Sequence, residues 1–293
     1  MFENYSANEG DLKAIEDGIR ACWENRLKNI FEQRKFLARV LIVSYDAHSL
    51  YLYSVEKLHL TSIPNQLPMY KLYELPHGMK GISANDQFYW RAGLSSKYLT
   101  PTLKQASGEK SEYSIVSGGL LTPFVALQKR KRRPLNPYTT AASYKATIVH
   151  EIAHAYFNQH RQWWFSNKIQ NLRYLRFAKA LYKGNQPINL SQLLIQIPNY
   201  GLRQTFLSEA FAFCAESTAA RIFWRSHWVA LQQNNALWLD ALADQERRKN
   251  LNRENSVLEH SPGHAFAASI GRILLEQSPR SWPKRLLKSA TLC

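Results

Sequence analysis

Hydrophobic positions in residues 11–34 recur at helical spacing. Leu12, Ile15, Ile19, Cys22, Leu27, Ile30 and Phe31 fall on one side of a 3.6-residue repeat. The pattern predicts an amphipathic helix over 11–34 with Asp11 as its N-cap. The period then shortens. "FLARVLIVSY" (36–45) and "SLYLYSV" (49–55) are β-branched and aromatic, and "DAHS" between them suits a hairpin turn. "KLHLTSI" (57–63) and "YKLYEL" (70–75) are further strand candidates, interrupted by Pro64, Pro68 and Pro76. Residues 76–112 carry no sustained period. "YSIVSGGLLTPFVAL" (113–127) returns to strand character. The next segment, "QKRKRRPLNPYTT", holds a basic run from Lys129 to Arg133 and reads as an exposed, solvated loop.

From about residue 140 the helical period dominates. Helices are predicted over 141–160, 161–183, 189–196, 203–225, 227–249, 263–277 and 281–290, with Gly184 at a helix C′ position. No repeat and no long linker divides the chain. The expectation is one α+β unit: an N-terminal sheet-containing half (1–140) and a C-terminal helical half (141–293).

Composition narrows the classes. The chain has 293 residues, is 45% hydrophobic and carries 8 Trp, 15 Tyr and 13 Phe, which excludes a disordered polymer. Its formal net charge of +16 creates a field that attracts nucleic acid, anionic surfaces or acidic proteins. Charge alone does not favour nucleic acid over plain solvation, so nucleic acid is kept as a partner but not favoured. Three cysteines without a CxxC exclude a disulfide framework or a thiolate cluster. The first residues lack the basic and apolar regions of a secretory signal, and no apolar run approaches the ~20 residues of a membrane span. A cytoplasmic protein with no transmembrane segment is expected.

"ATIVHEIAHAYFNQH" (146–160) carries the chemistry. His150 and His154 stand at i and i+4, on one helix face, where two imidazoles reach one metal ion. Glu151 follows the first His. This is the HExxH arrangement, in which Zn²⁺ acidifies a bound water and the Glu moves its proton. A third ligand is needed. His160 has metzincin-like spacing, but Phe157 stands where that pattern has a turn-making Gly. The chain's Met residues, Met1, Met69 and Met79, all precede the motif, so no Met lies downstream to sit beneath the zinc. That reading is rejected.

"FLSEAFAFCAES" (206–217) is the better source, with Glu209, Phe213, Glu216 and Ala220 on one helix face. "SEAFA" resembles the stretch that bears the third ligand in gluzincin zinc metallopeptidases. The resemblance covers residues 147–157 and 206–217. It implies a zincin-like α+β fold, a Zn²⁺ cofactor, and His150, His154 and Glu209 as ligands with Glu151 as general base and acid. The implied activity is hydrolysis of peptide bonds in a peptide or protein substrate, acidic ones included, as an endopeptidase. Many gluzincins have an acidic residue four positions after the ligand Glu, where this chain has Phe213. Glu216, one turn further, is either the acceptor behind a ligand His or a surface residue.

Two histidines in "LEHSPGHAFAASIG" (258–271) are candidate donors to the tetrahedral oxyanion. His260 stands three residues before Gly263, a spacing similar to that of the Tyr or His donor in several gluzincin-like enzymes; His264 is the other candidate. "SGGLLTPF" (117–124) is a candidate edge strand for pairing with substrate backbone, with Gly118 and Gly119 permitting close approach and Pro123 suiting an edge. Between 114 and 140 there is no Glu of the kind aminopeptidase gluzincins use as an anchor, although Glu112 precedes this stretch. Two alternatives stand beside this reading. "GHAF" (263–266) is faintly similar to SprT-like, nucleic-acid-associated proteases, which would make His264 the third ligand and not Glu209. The last is a zincin-fold protein that binds zinc without catalysis, against which the intact Glu151 speaks.

Overall fold

The computed structural model describes residues 9–38, 40–45, 49–56, 59–64, 114–120, 141–159, 190, 194, 200–232 and 270–292. The candidate strand 70–75, the basic run Lys129–Arg133, the helix 161–183, Pro123, His160, His260 and His264 lie outside the described residues. So do most of the predicted helix 189–196, of which Leu190 and Leu194 are helical and buried, and residues 233–249 of the predicted helix 227–249.

Helix α1 spans Glu9–Trp23 and is followed by a 3-10 turn at Asn25–Leu27. The expected helix over 11–34 is therefore shorter, and it starts earlier, with Asp11 inside it rather than capping it. Glu24 leaves the helical region with φ −63° and ψ 144°. The apolar spacing beyond it is still used: Leu27, Ile30 and Phe31 are buried. They reach the core from turns rather than from a continuous helix. Arg34 shows what replaces the missing helical bonds. Its Nη1 donates to Cys22 O at 2.7 Å and its Nη2 to Trp23 O at 3.3 Å. These are carbonyls that a helix C-terminus leaves without intrahelical donors. Arg34 opens the short helix α2, Arg34–Ala38, so residues 36–38 are helical and the first strand starts at Val40.

Strands β1 (Val40–Tyr45), β2 (Ser49–Ser54), β3 (His59–Pro64) and β4 (Ser114–Leu120) form one sheet in the order β3-β2-β1-β4. β1 and β3 each pair antiparallel with β2, whereas β4 pairs parallel with β1. Ser117 opposes Val43 and Gly119 opposes Ser44, so Gly118 is the extra residue of a bulge. Among the described residues, β4 is an edge of this sheet.

Helix α3, Ala141–Gln159, is the central element and carries HExxH. It packs on α1, on β4 and on α4, Tyr200–Phe223. Its apolar residues surround most of its circumference, the pattern of a buried helix. Ile148, Val149, Ile152, Ala153 and Phe157 are all buried, as are Phe206, Phe211, Ala212 and Ala215 on α4. Tyr156 sits edge-on to Phe31 at 5.3 Å and stacks on Phe211 at 6.1 Å, while Phe211 meets Trp282 at 5.3 Å. Trp282 opens the last helix, α5 (Trp282–Leu292). Gln33 N donates to the Tyr156 hydroxyl at 2.9 Å, giving that buried ring its polar partner. Phe36 of α2 also meets Tyr156 edge-on at 6.3 Å, so one aromatic cluster joins α2, α3, α4 and α5 next to the motif.

The α1–α3 contact depends on Gly18. A Cβ there would stand 2.7 Å from Ile148 Cβ and 2.7 Å from the Lys145 carbonyl oxygen. Alanine normally stabilises a helix interior over glycine by about 1 kcal/mol. Here backbone must move to admit it. Gly18→Ala is expected to lower stability by about 1–3 kcal/mol, read as a shifted denaturant midpoint; an equal or higher midpoint would refute the close approach. Among the described residues, no helix is long and apolar enough to cross a membrane.

Candidate metal centre

Helices α3 and α4 bring His150, His154 and Glu209 together. Among the described residues they form the one group of three ligand-type side chains that could hold a metal ion. The two Nε2 atoms lie 3.1 Å apart, and Glu209 Oε2 lies 3.4 Å from His154 Nε2 and 3.8 Å from His150 Nε2. An ion bonded at 2.0–2.1 Å to tetrahedrally disposed atoms separates them by about 3.3–3.4 Å. The residues present therefore fit such an ion in donor type and in mutual spacing. Side-chain exposures of 14% for His150, 18% for His154 and 16% for Glu209 leave the cluster open to solvent on one side.

Each imidazole is oriented by its other nitrogen. His150 Nδ1 donates to Glu216 Oε2 at 2.9 Å, and His154 Nδ1 is hydrogen-bonded to Ser208 Oγ at 2.8 Å. Both bonds leave Nε2 aimed at Glu209. Glu216 is fully buried, and its second oxygen, Oε1, accepts from His227 Nε2 at 3.1 Å. Glu216 is thus an interior acceptor behind His150, not a surface residue. His227 is equally enclosed.

The electrostatics follow from burial and from these contacts. Burial opposes charge on His150, but the hydrogen bond and charge of Glu216, helped by Glu151 and Glu209, outweigh it and lift its pKa from 6.5 to about 9. Burial would likewise raise the Glu216 carboxyl, but the bonds from His150 and His227 prevail and carry it from 4.5 down to about 2. Burial raises Glu151 above its ordinary value, against the pull of His150 and His154. In the metal-free protein at neutral pH, His150 therefore carries both ring protons. Its Nε2 stands 3.1 Å from His154 Nε2, so the Nε2 proton lies on the side where a cation would bind.

Two pH trends follow. Glu216 contributes stability that is present above pH 4.5 and is lost as pH falls towards 2. His150 contributes stability that is present below pH 6.5 and is lost as pH rises through 9. The melting temperature of metal-free protein should therefore fall between pH 6.5 and 9, while metal affinity rises over the same range because a ligand imidazole must be neutral. Calorimetry of zinc binding at pH 7 in buffers of different ionisation heat should show net proton release. Release of no proton would contradict a charged His150.

Of the residues singled out from sequence, the structure assembles His150, His154, Glu209 and Glu216, with Glu151 close enough to feel the charges of all four. His260 and His264 are outside the described residues. Ser208 and His227 were not anticipated. Ser208 had one signal, its place beside Glu209 on a helix facing the motif. His227 had none at the level of spacing.

No protein-family model matches the chain, and neither curated proteins nor solved structures gave a match.

Proposed function

We propose that this chain is a zinc-dependent metallopeptidase with a zincin-like α+β architecture, cleaving internal peptide bonds of a peptide or protein substrate. The observation that carries the reading is the convergence of His150 Nε2, His154 Nε2 and Glu209 Oε2 at ligand spacing, with the HExxH Glu151 alongside. The solvent opening suits a catalytic site, which keeps one position free of protein ligands. When bound, zinc supplies Lewis acidity at the scissile carbonyl and lowers the pKa of the attacking water. Glu151 accepts the proton of that water and returns it to the leaving amine. Burial raises this carboxyl above its ordinary value, which makes its carboxylate a stronger base for the first transfer. Ser208 and Glu216 hydrogen-bond the two Nδ1 atoms, which turns both Nε2 atoms towards the metal position. β4 packs on α3 at the edge of the described sheet and offers backbone for an added substrate strand, with the Gly118 bulge in that edge. The oxyanion donor is assigned to His260 or His264.

Elemental analysis tests this, on protein purified without added metal. Wild type and His264→Ala should hold about one zinc per chain, and His154→Ala and Glu209→Ala should hold none. Zinc kept in Glu209→Ala but lost in His264→Ala would move the third ligand to His264, the SprT-like arrangement. Zinc absent from wild type would end the peptidase reading.

A further inference from the structure

Helix α4 runs unbroken from Tyr200 to Phe223. Glu216 lies within it, and His227 lies eleven residues further on. Eleven residues of straight α-helix advance about 16.5 Å, beyond the combined reach of a Glu and a His side chain. Yet Glu216 Oε1 and His227 Nε2 stand 3.1 Å apart. The chain achieves this by breaking at Trp224. Trp224 N closes the last bond of α4 onto Ala220 O at 2.8 Å. Trp224 O then accepts from His227 N at 2.9 Å and from Trp228 N at 3.2 Å, starting the helical residues 225–232. This corner carries His227 back alongside α4.

We propose that His227 is a positioning residue for the metal centre, holding the Glu216 carboxylate so that Glu216 in turn fixes His150. The inference rests on the metal reading of the site. A carboxylate bound through one oxygen only can rotate about its last torsion, and the imidazole it orients then swings with it. His227 removes that freedom. With Oε2 taken by His150 and Oε1 by His227, Glu216 is anchored at both ends in a fully buried setting. The ladder runs from His227 through Glu216 to His150, and its far end is the ligand nitrogen. Partners behind a ligand typically change metal affinity 10–100-fold when removed.

The test uses the full chain as wild type, His227→Leu and His227→Gln. Zinc affinity is measured by competition with a chromophoric chelator, and the visible d–d spectrum is recorded with Co²⁺ in place of zinc. His227→Leu should bind zinc at least about tenfold more weakly and shift the cobalt bands. His227→Gln, whose amide N–H can still reach Glu216, should stay within about threefold and keep the wild-type spectrum. Equal affinity and spectra in all three overturn the proposal and leave the metal site intact. A wild type that binds neither metal overturns the metal reading and this proposal with it. Should His227→Leu not fold, wild-type protein decides the matter through the imidazole ¹⁵N–¹H spectrum, with His227→Gln giving the assignment. The His227 Nε2–H signal should move when zinc is added, although His227 is not a ligand. A signal unmoved at saturation overturns the proposal.

Discussion

Glu151→Gln is expected to retain its zinc and to lose peptide hydrolysis by roughly 10²–10⁴-fold, the usual contribution of a positioned acid–base group. Gln matches Glu in volume and in hydrogen-bonding reach, so helix α3 and its seam with α4 are undisturbed. It cannot take a proton. The ligand atoms His150 Nε2, His154 Nε2 and Glu209 Oε2 are untouched, so metal content should not change. Because burial penalises the charged form of Glu151, neutralising it should not destabilise the metal-free protein at pH 8. Zinc content, turnover of a peptide pool and the thermal melt together make the check. Hydrolysis within tenfold of wild type would remove Glu151 from its role; loss of zinc would make it a ligand instead.

Glu216→Ala should behave in the opposite way, costing both stability and metal. Its carboxylate is fully buried and serves two imidazoles at 2.9 and 3.1 Å. Removing one partner of a buried ionic group strands the others, at a cost of about 3–5 kcal/mol. Denaturant unfolding of metal-free protein near pH 6 should show a loss of that size. Zinc affinity should fall a further 10–100-fold as the His150 ring loses its hold. An unfolding free energy within 1 kcal/mol of wild type would mean that the carboxylate is not the charge holding this network together. The contrast between the two Glu variants separates the residue that does chemistry from the residue that holds the site.

Much of the candidate site was legible because its logic is local. His150, Glu151 and His154 are set by helical spacing alone, and Glu209 and Glu216 share one face of a single helix. Facing directions on a helix follow from residue numbers. His227 is different. The apolar pattern ends one helix at 225 and starts the next at 227, close to the observed break at Trp224. Neither Pro nor Gly marks that break, and spacing says nothing about which way the chain turns. Only the turn brings His227 to Glu216. The first helix was overdrawn for a related reason. Leu27, Ile30 and Phe31 keep a helical rhythm although turns deliver them, and the donor that ends α1, Arg34, lies eleven residues beyond Trp23. Long-range polar caps leave no periodic trace.

The parallel pairing of β4 with β1 has a consequence for when the metal can be captured. Val40 meets Ser114 across more than seventy residues of chain, and α3 lies between β4, α1 and α4. Among the described residues, α1, β4 and α4, the elements that chiefly seat α3, each lie more than twenty residues from it in the chain. Loop-closure entropy must be met before such contacts return anything, so topologies of this kind assemble slowly. His150 and His154 can face Glu209 only after α4, more than forty residues further on, has docked. The three ligands are thus scattered through most of the folding reaction and meet near its end. On the proposed reading, a nascent chain offers no preformed three-residue cage for a stray ion, and His150, His154 and Glu209 would form one only in the finished fold.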